Sequence, residues 1–215
     1  MSNYKVTETY DNYESYIEHQ ASKLDKKPAV CTKFDKLIEA EMDEFLDKYK
    51  IENKSSVLCL AARLGGEVRA FIKHGFFAVG IDLNPGQNNR FVLSGDFHDI
   101  QFPDHSVDII FTNSMDHSLY IDKLLSEINR VLKPDGLLIT KIPLGFKENN
   151  NHGFSTYEVS QWKRVSDVLE LMVKNFGIKE SVQLKDNNVH IFTPKKGEQN
   201  EELSSVQNSA TPKID

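Results

Sequence analysis

The chain predicts a doubly wound α/β fold: a mostly parallel, seven-stranded sheet with an antiparallel terminal strand, preceded by N-terminal helices. Three observations carry the prediction. From residue 55 onward, short apolar runs alternate with helical stretches, the pattern of a parallel sheet covered on both faces. The last two runs flank a polar tetrapeptide and read as a hairpin. Before residue 50 the apolar residues recur at helical rather than strand spacing.

The elements follow in order. Residues 10–50 read as helical, with Phe34, Leu37, Ile38, Met42, Phe45, Leu46 and Tyr49 at spacings of three and four. This amphipathic segment is either a packing helix or a cap over a ligand cleft. Val57-Leu58-Cys59-Leu60-Ala61 is the first buried strand, and Glu67 to His74 is a helix ended by Gly75. Phe76 to Ile81 is a strand stopped by Asp82, and Phe91 to Leu93 is a short strand leading into Ser94-Gly95-Asp96. Val107 to Thr112 is a strand, Leu119 to Leu132 a helix, and Pro134-Asp135-Gly136 the turn before a strand at Leu137 to Ile142. Tyr157 to Phe176 is a helix ended by Gly177. Ile178 to Leu184 and Val189 to Thr193 enclose Lys185-Asp186-Asn187-Asn188. These elements divide the chain into a helical cap at 1–52, an α/β domain at 53–194 and a tail at 195–215. The tail has no aromatic residue and few apolar ones, so it is expected to be disordered.

Composition narrows the function classes. With 215 residues, 39% hydrophobic and 27% charged, the chain suits one soluble domain with appendages. Its net charge of −6 makes it a poor candidate for gripping a phosphate backbone. Two cysteines, Cys31 and Cys59, argue against a disulfide scaffold and a structural zinc site, and no metal ligands are assigned. No apolar run reaches the roughly 20 residues of a membrane span, and the polar, acidic start is unlike a secretory signal. A cytoplasmic protein is the expectation.

In open parallel sheets, ligands bind beyond the carboxyl ends of the strands. After the first strand comes Ala61-Ala62-Arg63-Leu64-Gly65-Gly66, a small-residue loop opening a helix, where backbone N–H groups favour negative charge. Asp82 ends the second strand, at the offset where an acid accepts from both ribose hydroxyls. Asp96-Phe97 follows the third strand, and Asn113-Ser114-Met115-Asp116-His117 the fourth. Each is common alone; in this order they suggest a nucleoside-bearing ligand.

Four segments carry a more specific likeness: VLCLAARLGGE, VGIDLNPG, SGDFHDIQFPDHSVDIIFTNSMDHS and EINRVLKPDGLLIT. From Val57 to Ile139 the chain resembles the class I S-adenosylmethionine-dependent methyltransferases, a Rossmann-like fold, and within them the type 11 branch. The resemblance implies S-adenosylmethionine as cofactor. It implies that Asp82 holds the ribose, that Leu83 lies against the adenine, and that Asp96 accepts from the adenine amino group with the Phe97 backbone at the ring edge. Ala61, Arg63 and Gly65 would pass the methionine part, and Asn113 would line the cleft near the sulfonium. His117 and Asp116 are the candidate catalytic bases, and His98 a weaker one. His152 and Tyr157 are candidate substrate contacts, whereas Trp162 is expected to pack the helix that follows.

The sequence departs from that family at its loop. Cys59 stands where an acid is usual, and of three glycine positions, Ala61, Arg63 and Gly65, only the last is glycine. A left-handed backbone at Ala61 would cost roughly 1 kcal/mol or more. Arg63 pairs with the cofactor carboxylate, or pins the loop to an acid, or fills the site. Three functions are therefore carried forward: a methyltransferase acting on a small molecule or an unassigned acceptor by in-line transfer, a non-catalytic scaffold or regulatory protein of the same fold that has lost cofactor binding, and a dinucleotide-binding dehydrogenase. The missing glycine fingerprint disfavours the third.

Overall fold

The computed structural model describes residues 4–6, 10–148, 156–184 and 188–195. The expectations for the tail, for His152 and for Lys185 to Asn187 lie outside these residues. Nine strands and five α-helices are present among the described residues, in the order β1 (Tyr4–Val6), α1 (Tyr13–Lys26), α2 (Pro28–Lys48), β2 (Ser56–Leu60), α3 (Gly66–Lys73), β3 (Phe77–Asp82), β4 (Val92–Ser94), β5 (Val107–Thr112), α4 (Ile121–Val131), β6 (Leu132–Lys141), β7 (Ser160–Trp162), α5 (Val165–Asn175), β8 (Phe176–Gln183) and β9 (Asn188–Pro194). A single 3-10 turn, Met115–His117, follows β5.

Seven strands form the main sheet in the order β4-β3-β2-β5-β6-β9-β8. The pairs among β4, β3, β2, β5 and β6 are parallel, and β9 joins β6 and β8 antiparallel. The strand runs are continuously apolar because alternate residues feed two cores. On β2, Leu58 and Leu60 enter the cluster that holds Leu124, Leu125 and Ile128 of α4 and Met172 of α5. Val57 and Cys59 enter the opposite cluster, with Ile38, Met42, Phe45 and Leu46 of α2 and Val68 and Phe71 of α3.

Four readings need correction. The stretch 10–50 is two helices, because Pro28 cannot sit inside a helix and instead opens the second one. Phe34 and Leu37 stay exposed; only Ile38, Met42, Phe45 and Leu46 of the expected stripe are buried. The helix expected at 157–176 begins at Val165, capped where the Asp167 carboxylate accepts the Arg164 N–H. The residues before it form β7, antiparallel to β1, a strand too short to announce itself. Pro134-Asp135-Gly136 does not precede β6 but lies within it. Leu132 pairs with Val107 and Leu137 with Ile109, so the turn residues make an excursion from one strand.

Candidate functional site

The loop between β2 and α3 keeps the backbone shape of a glycine loop without its glycines. Ala61, Arg63 and Gly65 all have positive φ, at 55°, 41° and 85°. For a residue with a Cβ this conformation is strained. The surroundings hold it in place. The Ala62 N–H donates to Ile81 O (3.0 Å), the Gly65 N–H to Ala62 O (2.7 Å), and Asn89 Nδ2 reaches Arg63 O (3.1 Å). Gly65 itself is buried against Phe91 and Val92, which an added Cβ would meet, so it shapes the loop rather than lining a cavity.

Asp82, at the end of β3, accepts the Arg63 N–H at Oδ2 (3.0 Å) and the Asn84 N–H at Oδ1 (2.8 Å). Burial raises its pKa, and the Arg63 charge acts against that rise. Each oxygen retains a lone pair for a further donor. Arg63 therefore pins the loop to Asp82 through its backbone. Among the described residues its guanidinium forms no salt bridge, and it lies where two cavities meet.

The first cavity, about 30 Å3, is bounded by Ala61, Arg63, Asp82, Leu83, Gly95, Phe97, Ser114 and His117, and roofed by Tyr16 and Gln20 of α1. It holds little more than a water. The second, about 430 Å3, shares Ala61, Arg63, Ser114 and His117 and adds Asn113, Asp116, Glu67, Lys23 and a wall of α2. Of the residues singled out by the sequence, the first cavity gathers Asp82, Leu83 and Phe97. The second gathers Asn113 and Asp116, and both reach Ala61, Arg63 and His117.

Asp96 lines neither cavity, because α1 occupies it. Its Oδ2 accepts the Tyr13 hydroxyl proton (2.5 Å), its Oδ1 the His98 backbone N–H (2.8 Å). Burial opposes ionisation, but the bonds from His98 and Tyr13 hold the carboxyl below its usual range. His98 is fully buried. Its Nδ1 contacts the Tyr13 hydroxyl (2.8 Å), and its Nε2 accepts from Ser118 Oγ (2.8 Å) and the Tyr120 N–H (3.3 Å). His98 thus anchors α1 and lines neither cavity, which sets aside its candidacy as a base. Tyr157 is also buried outside both cavities, stacked on His19 with Lys23 and Lys27 over its ring. Trp162 packs as expected, in the cluster that holds Val168 and Met172 of α5.

His117 is held by α1. Its Nδ1 faces Gln20 Oε1 (3.1 Å) and its Nε2 faces Lys23 Nζ (3.4 Å). An amide oxygen accepts and an ammonium donates, so the proton sits on Nδ1 and the Nε2 lone pair points to Lys23. Burial and the Lys23 charge keep the ring neutral, its pKa well below the usual histidine range. Asp116 is the reverse case. Its Oδ1 is buried and meets no donor among the described residues. Burial first, then the Glu158 charge, push its pKa up to about 7.

Sequence reasoning missed Tyr13, Tyr16, Gln20 and Lys23, because α1 carries no motif and only its docking brings them to the site. It also missed Glu67, 3% exposed at the second cavity. Burial pushes its carboxyl up to about 8, with Asp35 and Asp82 adding to the rise and Arg63 opposing it. Glu67 and the buried Cys59 thiol interact electrostatically, so a carboxyl does stand beside the position where the family acid is absent. The only signal in the chain is an acid in the first turn of a helix, a position acids commonly occupy as partners of the helix dipole.

Residues 58–140 match the family model described as a methyltransferase domain. No curated protein sequence matches the chain. Among solved structures, the PH0226 protein from Pyrococcus horikoshii OT3 is similar at 21% identity and a TM-score of 0.59, over 73% of this chain and 89% of that one. A Haloferax volcanii complex of the Trm112 methyltransferase activator and a protein described as a methyltransferase gives 15% identity and a TM-score of 0.60, over 88% and 100%. A Thermotoga maritima S-adenosylmethionine-dependent methyltransferase, described also as a candidate histamine N-methyltransferase, gives 16% and 0.59, over 82% and 99%. The chain thus has the Rossmann-like fold of these structures, and its residues 58–140 are similar to a methyltransferase domain.

Proposed function

We propose that the protein is an S-adenosylmethionine-dependent methyltransferase acting on a small molecule by in-line transfer. The observation that carries this reading is the loop. Ala61 and Arg63 keep left-handed backbone that only a glycine adopts freely, and strain of this kind persists where a function requires the shape. The donor and acceptor set fits the cofactor. Asp82 retains lone pairs for ribose hydroxyls, Leu83 and Phe97 offer apolar surface for the adenine, and Asp96 can accept the amino group in place of the Tyr13 hydroxyl. Arg63 supplies a cation for the cofactor carboxylate, and Glu67 an anion for its ammonium. Bound there, the cofactor supplies an electrophilic methyl group. The chain's residues align the reactants, exclude water and hold a proton. Asp116 is the base facing the cavity, and His117, tied to Gln20 and Lys23, orients α1 over it. The small first cavity means that Tyr16 and Gln20 must withdraw before a nucleoside enters, so α1 acts as a lid.

The small first cavity, lined by Arg63 as well as by Tyr16 and Gln20, favours a second reading, a non-catalytic relative whose site is filled by Arg63 beneath α1. Calorimetric titration with S-adenosylmethionine and S-adenosylhomocysteine separates the two. The first reading expects micromolar binding, lost in Asp82→Ala and weakened in Arg63→Ala. Absence of binding by the wild type, with binding gained in Arg63→Ala, supports the second.

A further inference from the structure

Helix α2 leaves three apolar side chains exposed on one stripe: Val30 at 43%, Phe34 at 58% and Leu37 at 47%. Their spacing of four and three puts them on one face. They line the outer wall of the 430 Å3 cavity. On the same cavity lies Asp116, 7% exposed, with its Oδ1 lacking a donor. A buried acceptor left unpaired is costly, so it marks a place where a ligand brings the donor. Of the cations on this cavity, Lys23 faces His117 and the Tyr157 ring, Lys27 faces the same ring, and Lys141 pairs with Glu41, whereas Arg63 lies at the edge shared with the first cavity, on the side assigned to the cofactor. The cavity thus combines an apolar wall and a proton acceptor, with Glu158 the acid that acts on Asp116.

We propose that this cavity takes a small acceptor with an apolar body and a protic nucleophilic head, an amine or a phenol, the body lying on Val30, Phe34 and Leu37 and the head donating to Asp116 Oδ1. The inference rests on the methyltransferase reading and names its substrate class. Against Asp116 a carboxylate head is disfavoured, because when ionised it brings no proton to Oδ1 and sets a further anion beside Asp116 and Glu158. The chemistry balances. A phenol O–H, or one N–H of an ammonium, gives its proton to the Asp116 carboxylate. The freed lone pair forms a bond to the methyl carbon of the sulfonium donor. The carbon–sulfur bond breaks, and its electron pair stays on sulfur as a thioether.

Three compounds of matched shape test this on the full chain loaded with S-adenosylhomocysteine: phenethylamine, ethylphenol and hydrocinnamate. Calorimetry is expected to show binding of the amine or the phenol, and the two arms tell which head is taken. The carboxylate binds about tenfold or more weakly. With S-adenosylmethionine, Phe34→Ala is expected to raise KM about tenfold at unchanged kcat. Asp116→Asn lowers kcat about a hundredfold while leaving S-adenosylhomocysteine binding intact. Equal affinity for hydrocinnamate, an unchanged KM in Phe34→Ala, or full rate in Asp116→Asn overturns the proposal. So does failure of both protic compounds to bind a chain that does bind S-adenosylhomocysteine. A chain that binds no S-adenosylhomocysteine instead removes the methyltransferase reading itself.

Discussion

Asp116 sits where its charge is disfavoured, and that has two consequences of opposite use. Burial and the neighbouring Glu158 push its pKa up to about 7, while Lys23 and the His117 N–H act in the other direction. As a base it is competent only when ionised, so methyl transfer should rise with pH to a midpoint near 7 and lose that limb in Asp116→Asn. Lys23, itself pulled down to about 8 by burial and Arg63, loses its charge just above that range and would move the Asp116 midpoint further up. For stability the sign reverses. The folded state binds the Asp116 proton more tightly than the unfolded chain, so stability falls as pH rises from about 4 toward 7. Denaturant titrations should show Asp116→Asn lacking that decline. The loop offers a second residue-scale test. Relieving positive φ in Ala61→Gly should leave stability unchanged or raise it by up to about 1 kcal/mol. Gly65→Ala should lower it, because its φ is +85° and the added Cβ would lie 3.0 Å from Val92.

Helix α1 is the element on which the site turns. Asn12 caps it by accepting the Ser15 N–H, and its inner face delivers Tyr13 to Asp96, Tyr16 to the His117 carbonyl (3.1 Å) and Gln20 to the His117 ring. Tyr13 competes for the carboxylate expected to accept the adenine amino group. Tyr13→Phe should therefore tighten S-adenosylhomocysteine binding, read by calorimetry, and weakened binding would mean that the hydroxyl orders the site instead. None of this was legible in the chain. Residues 10–50 showed a helical period but not which face would meet which acid, since the contacts span 83 to 101 positions in sequence. Strand β7 was hidden for a related reason: three residues paired with a distant three-residue strand leave no period to read. The strands β2 to β6 were legible because burial on both faces forces an apolar run wherever they occur. The strand-end acids Asp82 and Asp96 were legible as acids, but only docking of α1 separates Asp96, which it occupies, from Asp116, which it leaves unpaired.

Across the whole molecule, the two ends of the sheet divide the work. The carboxyl ends of β2, β3 and β5 hold the strained loop, Asp82 and the Asn113 to His117 segment, around the two cavities. The opposite end is built for stability, around Asp108 near the start of β5. Its carboxylate accepts the Ser55 and Ser56 N–H groups (3.2 and 3.0 Å), the Ser56 hydroxyl (2.8 Å) and Lys133 Nζ (2.9 Å). One side chain thereby ties the starts of β2, β5 and β6, the three central strands. Burial alone would raise its pKa, but the bonds from Lys133, Ser56 and Ser55 outweigh it and hold the carboxyl well below the usual range. A depressed pKa contributes stability that is complete above the unfolded value of about 4 and is lost as pH falls through the folded one. Asp108→Asn should therefore lower stability at neutral pH by about 1–3 kcal/mol, and the gap to wild type should shrink below about pH 4 in urea titrations. Because Asp108 lies across the sheet from the cavities, S-adenosylhomocysteine affinity in the folded variant should stay at the wild-type value. A variant that lost affinity in step with stability would show that the two ends of the sheet are coupled.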